Sequence, residues 1–174
     1  MRINDMIHLK GEVLIQAINA DGKISTIVED KNLIVSAGRE NICNFLVGGA
    51  SSSITDIAFG SGGTITGNPN VAISVTSDET VLVSPIANLV NGVDYLFKRV
   101  AQTSPSPRAV FSTIIPSSSL SGVAEITQLN GQSISELGLM LNTTPAATTF
   151  AIKRFPAISK SDTISLIITW IIYV

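Results

Sequence analysis

The segment 164–174 constrains the fold more than any other part of the chain. It reads Ile-Ser-Leu-Ile-Ile-Thr-Trp-Ile-Ile-Tyr-Val, without a charged residue, glycine or proline, and large apolar side chains occupy every second position. A period of two is that of a β-strand, and eleven residues would extend over about 35 Å, so we predict a central strand at 163–174. A membrane-spanning helix needs about 20 apolar residues. Polar residues at 160–162 interrupt the run, so we expect no membrane span.

The rest of the chain has the composition of a mainly β protein. Of its 174 residues, 45% are hydrophobic and only 14% are charged, and this length suits one domain with a real core. Short stretches of β-forming residues alternate with clusters of turn residues. We therefore predict a single domain over 1–174, an antiparallel, jelly-roll-like β-sandwich with one short helix. Strand candidates after the helix are 53–59, 71–75, 80–84, 95–101, 108–115, 123–127, 134–141 and 149–155.

A hairpin and the helix are predicted in the first 50 residues. The turn Ala20-Asp21-Gly22 separates two β-rich runs, 10–18 and 23–29, and Asp-Gly between such runs is a strong hairpin signal, so we place a hairpin at 9–29. A helix is expected at about 36–47, with Ser36 as its N-cap. Its apolar stripe is expected to lie on the sheet, with Cys43 buried in it as a small hydrophobic residue. The stripe consists of Ile42, Cys43, Phe45 and Leu46.

Charge and targeting signals are weak. The net charge is −2, so no basic surface for nucleic acid is expected. The pairs Lys98-Arg99 and Lys153-Arg154 are interpreted as charges at strand edges, where such residues are routine. A single cysteine excludes an internal disulfide, and the first eight residues lack the apolar core of a signal peptide, so we expect synthesis in a cytoplasm without an export signal.

The sequence predicts no catalytic residue, no cofactor and no metal site. His8 is the only histidine, whereas a zinc site takes about three or four ligands, and a Ser-His-Asp triad would need the same residue. Glycines at 60–63 lack the Lys-Ser/Thr or helix N-terminus of a phosphate-binding loop, so a flexible or close-packed loop is expected. Carboxylates suitable for glycoside hydrolysis are possible in principle, but the acidic residues lie mostly at predicted turns and strand edges. We therefore expect that the protein is not an enzyme.

Several phrases of the sequence recur, in order, in one kind of protein. The runs 9–13, 31–40, 54–62, 134–139 and 150–162, followed by the closing Ile-Thr-Trp strand, resemble small structural proteins encoded in tailed bacteriophages and prophages. The resemblance implies a virion component, folded in the host cytoplasm and associated with the tail, baseplate or fibre, whose partners are other phage virion proteins. It carries over no functional residue, and the region 64–133 matches poorly.

Two other functions stay open beside the tail-associated structural role. A capsid decoration (cement) protein would clamp neighbouring shell subunits with the same kind of fold. A host-glycan-binding module is disfavoured because aromatic residues total 5% and Trp170, the one tryptophan, is expected in the core. Multiple copies are expected to form a homo-oligomer, with a trimer as the first expectation. Partner contacts are expected from the loops 60–70, 84–92 and 102–107.

Overall fold

The computed structural model describes residues 9–102, 107–117, 128–142 and 147–173. Eight strands of this part form one antiparallel sheet in the order β3-β8-β9-β2-β1-β10-β7-β6, and β4 pairs with β5 in a separate hairpin. In chain order the elements are β1 (Lys10–Ile18), β2 (Ile24–Ile34), α1 (Ser36–Leu46), β3 (Ile54–Gly60), β4 (Thr64–Ile65), β5 (Asn68–Ala72), β6 (Leu96–Gln102), β7 (Arg108–Ile115), β8 (Ser133–Leu141), β9 (Thr148–Ser159) and β10 (Ser165–Tyr173).

The large sheet folds over until its two edge strands meet. β2 forms the corner, because most of its length pairs with β1 while Leu33 and Ile34 pair with β9. The edge strands β3 and β6 approach each other where Arg99 Nη1 donates to the Ile54 carbonyl oxygen at 2.8 Å. The Tyr95 hydroxyl also donates to Asp56 Oδ1, at 2.7 Å. The predicted fold class, mainly β and antiparallel with one short helix, is confirmed for the described residues.

The strand predicted at 163–174 is observed as β10 and is central. It pairs with β1 on one side and with β7 on the other, so that Trp170 lies between Val13 and Phe111. The inward positions Leu166, Ile168, Trp170 and Ile172 are all buried, as the alternation predicts. Of the outward positions of β10, Ser165 is buried and the other four are half-buried.

The predicted N-terminal hairpin is also present. Gly22 has a φ of +78°, a conformation that glycine adopts without strain, and its amide donates to the Asn19 carbonyl oxygen at 2.9 Å. The returning strand β2 extends to Ile34, beyond the predicted end at residue 29, and carries a bulge opposite Ile15 and Gln16.

The helix lies at the predicted position but contacts the sheet differently. The N-cap residue is Val35, not Ser36, and no side chain caps the helix, so the N-cap prediction is wrong. Gly38 is the one buried residue of α1, and a Cβ atom there would collide with the Phe150 carbonyl oxygen. Because the backbone approaches β9 at this first turn, the last turn carries its apolar stripe into solvent. The prediction that Cys43 is buried is therefore wrong, and of the predicted stripe only Ile42 packs against the core, whereas Phe45 and Leu46 are exposed.

Five of the eight strand predictions after the helix are confirmed, and the other three are partly observed, irregular or outside the described residues. The candidates 53–59, 95–101, 108–115, 134–141 and 149–155 correspond to β3, β6, β7, β8 and β9. The candidate 71–75 overlaps β5 only in part, and 80–84 is irregular. Leu82 within 80–84 is buried with Val35 and Ile152, so its apolar character reflects packing on β9 rather than strand pairing. The candidate 123–127 lies outside the described residues.

Candidate functional site

Side chains that could bind a metal ion do not cluster in the described part of the chain. No group of three or more His, Cys, Asp or Glu side chains there could hold a metal ion. His8 lies outside the described residues, and the exposed Cys43 lies on α1. Trp170 is fully buried, as expected.

A buried ionic cluster, which we call the Glu136 cluster, was missed by sequence reasoning. Glu136 on β8 is completely buried, and its carboxylate accepts backbone N–H groups from Gly62 at 3.2 Å, Val83 at 3.1 Å and Ser84 at 2.8 Å. Arg154 on β9 donates to the same carboxylate through Nε at 3.4 Å. The guanidinium also pairs with Glu79, through both carboxylate oxygens, and Nη1 donates to the Ser74 carbonyl oxygen at 3.1 Å.

The charges of this cluster stabilise one another. Burial would raise the pKa of Glu79, but the Thr76 amide and the Arg154 guanidinium stabilise its carboxylate, and the net result is a lowered pKa. With three amides and a guanidinium around Glu136, the carboxylate has no open side toward a substrate. The cluster therefore acts as a tether that holds the segments 61–63 and 74–84 against β8 and β9.

The glycines of the run 60–63 serve this tether. A side chain at Gly60 would collide with Glu136, and one at Gly63 would collide with the Ser135 carbonyl oxygen. The close-packed loop expected as one of two alternatives is thus observed. A signal for the cluster was present in the sequence, since Glu136 and Arg154 each interrupt a strongly apolar strand, and a charged residue in such a strand is buried only when it is paired.

A second buried charge lies between β9 and β10. Lys160 is 1% exposed, and its Nζ donates to Asn130 Oδ1 at 2.5 Å and to the Ser161 carbonyl oxygen at 2.6 Å. Burial lowers the pKa of this amine to about 8, although the nearby Asp162 carboxylate opposes the shift. Both hydrogen bonds anchor the connection that leads into the central strand.

The two basic pairs have different environments. Lys98 and Arg99 lie on β6, an edge strand of the sheet, as predicted. Lys153 and Arg154 lie on β9, an interior strand, so their interpretation as edge charges is wrong. Lys153 Nζ pairs with Asp30 Oδ2 at 2.5 Å, and this hydrogen bond lowers the pKa of Asp30.

Three consecutive apolar residues at the end of α1 and its C-cap are highly exposed. Phe45, Leu46 and Val47, which we call the apolar helix tip, are 70%, 60% and 82% exposed. Exposed apolar side chains are normal when scattered, but three consecutive ones including an aromatic are typical of a contact with another macromolecule. The helix is fixed on the body by Asn41, whose side chain bonds both the amide and the carbonyl of Ser52, at 2.7 and 2.9 Å.

A second apolar surface covers the outward side of β10, β7 and β6. We call it the outer sheet face, and its residues are Leu96, Val100, Val110, Ile114, Ile167 and Ile171. Beside it, a groove of about 430 Å³ opens between β2, β1 and β10, lined among others by Glu12, Leu14, Glu29 and Lys31.

Of the three loops predicted to contact partners, the first is partly held on the sheet and the second is mostly exposed. The glycines of 60–63 are held on β8, whereas 65–70 and most of 84–92 are exposed. Most of the third loop, 103–106, lies outside the described residues.

Within the described residues, α1 does not have the length and hydropathy that a membrane-spanning helix requires. Comparison with known proteins found no matching family model, no matching curated protein and no matching solved structure.

Proposed function

We propose that this protein is a non-enzymatic structural subunit of a tailed phage particle, present in several copies and associated with the tail, baseplate or fibre. The observation that carries the proposal is the apolar helix tip, a surface suited to contact with another protein and fixed on a tightly held body. The site chemistry found in the described residues, the Glu136 cluster, is occupied by internal contacts. This favours a role in assembly rather than in turnover.

The sequence resemblance supports the same proposal from another direction. Its phrases contain the residues of the Glu136 cluster: Gly62 lies in the run 54–62, Glu136 in 134–139, and Arg154 in 150–162. These phrases therefore describe internal joints of the fold, so their recurrence is consistent with relatives that share this scaffold and differ in their contact surfaces.

A capsid decoration (cement) protein is the second candidate, since an apolar helix tip could equally dock on shell subunits. A glycan-binding role is less well supported, because stacking on sugars needs a platform of exposed aromatic side chains, whereas Trp170 is buried and Phe45 is the one aromatic among the exposed large apolar residues of the described chain.

A cryo-EM reconstruction of purified particles tests the proposal directly. We expect density for this chain at repeated positions on the tail or baseplate, with the apolar helix tip in the contact. Density on the shell instead would support the cement role, and absence of the chain from purified particles would contradict both.

A pair of matched variants tests the helix tip itself. Phe45→Asp with Leu46→Asp should abolish incorporation into particles while the isolated protein stays folded, because both side chains are exposed. Ile24→Asp, a 56% exposed apolar position at the start of β2 and outside the predicted contact loops, is the control and should leave incorporation unchanged. Incorporation that survives the double substitution would show that another surface docks.

The non-enzymatic character has its own test. Turnover of a polysaccharide, peptidoglycan or ester substrate that is lost in the His8→Ala variant would overturn it.

A further inference from the structure

The outer sheet face is apolar in two rows that run across neighbouring strands. Leu96 and Val100 are 48% and 55% exposed, and Ile114 is 39% exposed, so these side chains are not covered by the described part of the fold. A row of polar side chains separates the apolar rows. By strand register, the first row is Ile167, Ile114 and Leu96, the middle row is Thr169, Ser112 and Lys98, and the third row is Ile171, Val110 and Val100.

We propose that the outward surface of β2, β1, β10, β7 and β6, which includes the outer sheet face, binds the same surface of a second copy of this chain, about a two-fold axis that runs along β10. A two-fold contact uses one surface twice, so the surface must complement itself. Placing the axis along β10 stacks Ile167 and Ile171 on their own counterparts. This inference does not depend on the virion role, because it rests on the sheet alone.

Charge supports this arrangement. Beyond Thr169 the middle row continues to Leu14 on β1 and Glu29 on β2. The row therefore has Glu29 at one end and Lys98 at the other. Within the described chain, neither of these two side chains makes an ion pair or a hydrogen bond. The axis reverses the strand order, so β6 of one copy lies over β2 of the other. Each Glu29 then lies opposite Lys98 of the second copy, and two ion pairs form per dimer.

Shape supports it as well. The groove of about 430 Å³ lies at the β2 and β1 end of the face, with Leu14 and Ile171 among its lining residues. Lys98 and Val100 project from β6, at the opposite end. The same two-fold axis places these side chains of one copy over the groove of the other, where the aliphatic stem of lysine can pack while its ammonium reaches the carboxylate.

The available area fits a weak and specific dimer. Five strands about 4.8 Å apart, crossed by four rows of outward side chains about 6.6 Å apart, give a footprint of about 20 by 20 Å. Two such footprints bury about 800 to 1,000 Å² in total, which is below the area of stable specific interfaces and within that of weak, transient ones. Polar side chains close one side of the face, where Tyr173 donates to Glu12 Oε2 at 2.9 Å and Arg108 Nε donates to Gln102 Oε1 at 2.6 Å.

Sedimentation equilibrium on the full chain, at concentrations up to about 1 mM, tests the proposal. The unmodified protein should be a monomer–dimer mixture. Glu29→Lys alone and Lys98→Glu alone should each weaken the dimer about tenfold, because two attractive pairs become repulsive. Combining both substitutions in one chain should restore dimerisation. An equimolar mixture of the two single variants should also dimerise, since both pairs are then attractive in the mixed dimer.

Two more variants separate this face from other surfaces. Val100→Lys should abolish the dimer, because the third row ends at Lys31 on β2 and the axis places residue 100 of one copy opposite Lys31 of the other. Phe45→Ser, on the apolar helix tip, should leave the dimer unchanged. The proposal is overturned by a strict monomer, by the trimer expected from sequence, or by a dimer whose dissociation constant is unaffected by Glu29→Lys, Lys98→Glu and Val100→Lys. Particle incorporation without dimerisation would overturn this inference while leaving the proposed function intact.

Discussion

At the scale of single residues, the core is organised around Trp170, which combines full burial with an unused polar atom. Its ring is completely buried between β1 and β7, and among the described residues its Nε1 has no hydrogen-bond partner. Replacing Trp170 by Ala should therefore lower the free energy of unfolding by about 3–5 kcal/mol, through lost contacts and a cavity. Trp170→Phe should cost clearly less, because it retains an aromatic ring and removes the unpaired donor.

Urea denaturation of the unmodified protein and of the Trp170→Ala and Trp170→Phe variants measures both losses in the free energy of unfolding. A loss below about 1 kcal/mol for the Trp170→Ala variant would place the indole at the surface instead.

Lys160 should make stability depend on pH in an unusual direction. Its pKa is about 8 in the folded protein, against an ordinary value of about 10.4, so between these values the unfolded state binds more protons and the free energy of unfolding rises with pH. Below about pH 8 the folded protein bears the full free-energy cost of burying a charged amine. Above that pH the cost decreases, because the amine loses its proton. The Lys160→Met variant lacks this contribution.

We expect the free energy of unfolding of the unmodified protein to increase relative to that of the Lys160→Met variant as the pH is raised from about 7 to 9.5. Urea titrations at several pH values check this, and Lys23→Met, at an exposed position of the hairpin turn, is the control. A difference that stays constant over this range would show that the amine titrates normally in the folded protein.

At the scale of elements, β10 is the strand whose loss should be least tolerable. It provides hydrogen bonds to two neighbours and four buried apolar side chains, Leu166, Ile168, Trp170 and Ile172. Burial of apolar surface stabilises by about 25 cal/mol per Å², so deletion of 164–174 should give an insoluble or unfolded product. Solubility and thermal unfolding of the truncated chain provide the measurement. A soluble product with an unchanged transition would contradict the central position of this strand.

The elements also show what could be predicted from sequence and why the rest could not. Strands such as β7 and β10 were located because alternation of apolar residues follows directly from a half-buried sheet. The orientation of α1 was missed, since its apolar stripe is compatible with either a sheet or a partner, and Gly38 alone selects the contact with Phe150. The segment 80–84 was mistaken for a strand because packing on β9 demands apolar residues without demanding strand pairing.

At the scale of the whole molecule, the strands β8 and β9 and the strands β10, β7 and β6 have different surroundings. The side of β8 and β9 carries α1, the hairpin of β4 and β5, and the segments held by the Glu136 cluster. The sequence marks Glu136 and Arg154 as charges within apolar strands, but their partners could not be predicted, because Glu136 meets Arg154 only through the register of β8 with β9 and meets Gly62 only through that of β3 with β8. The outer sheet face was equally hidden, since it depends on which of β6, β7 and β10 become neighbours.

The pairing of β1 with β10 places Lys10 opposite Tyr173. During synthesis, β1 can meet β2 early, but its other edge must wait until β10 has left the ribosome. Such distant pairings slow folding and expose unpaired strand edges to other chains meanwhile. A nascent chain that stops short of β10 thus has an open β1 edge and an unfilled core, and it becomes a substrate for chaperones and proteases. Synthesis of β10 is therefore the step that must be complete before the sheet can close around its core.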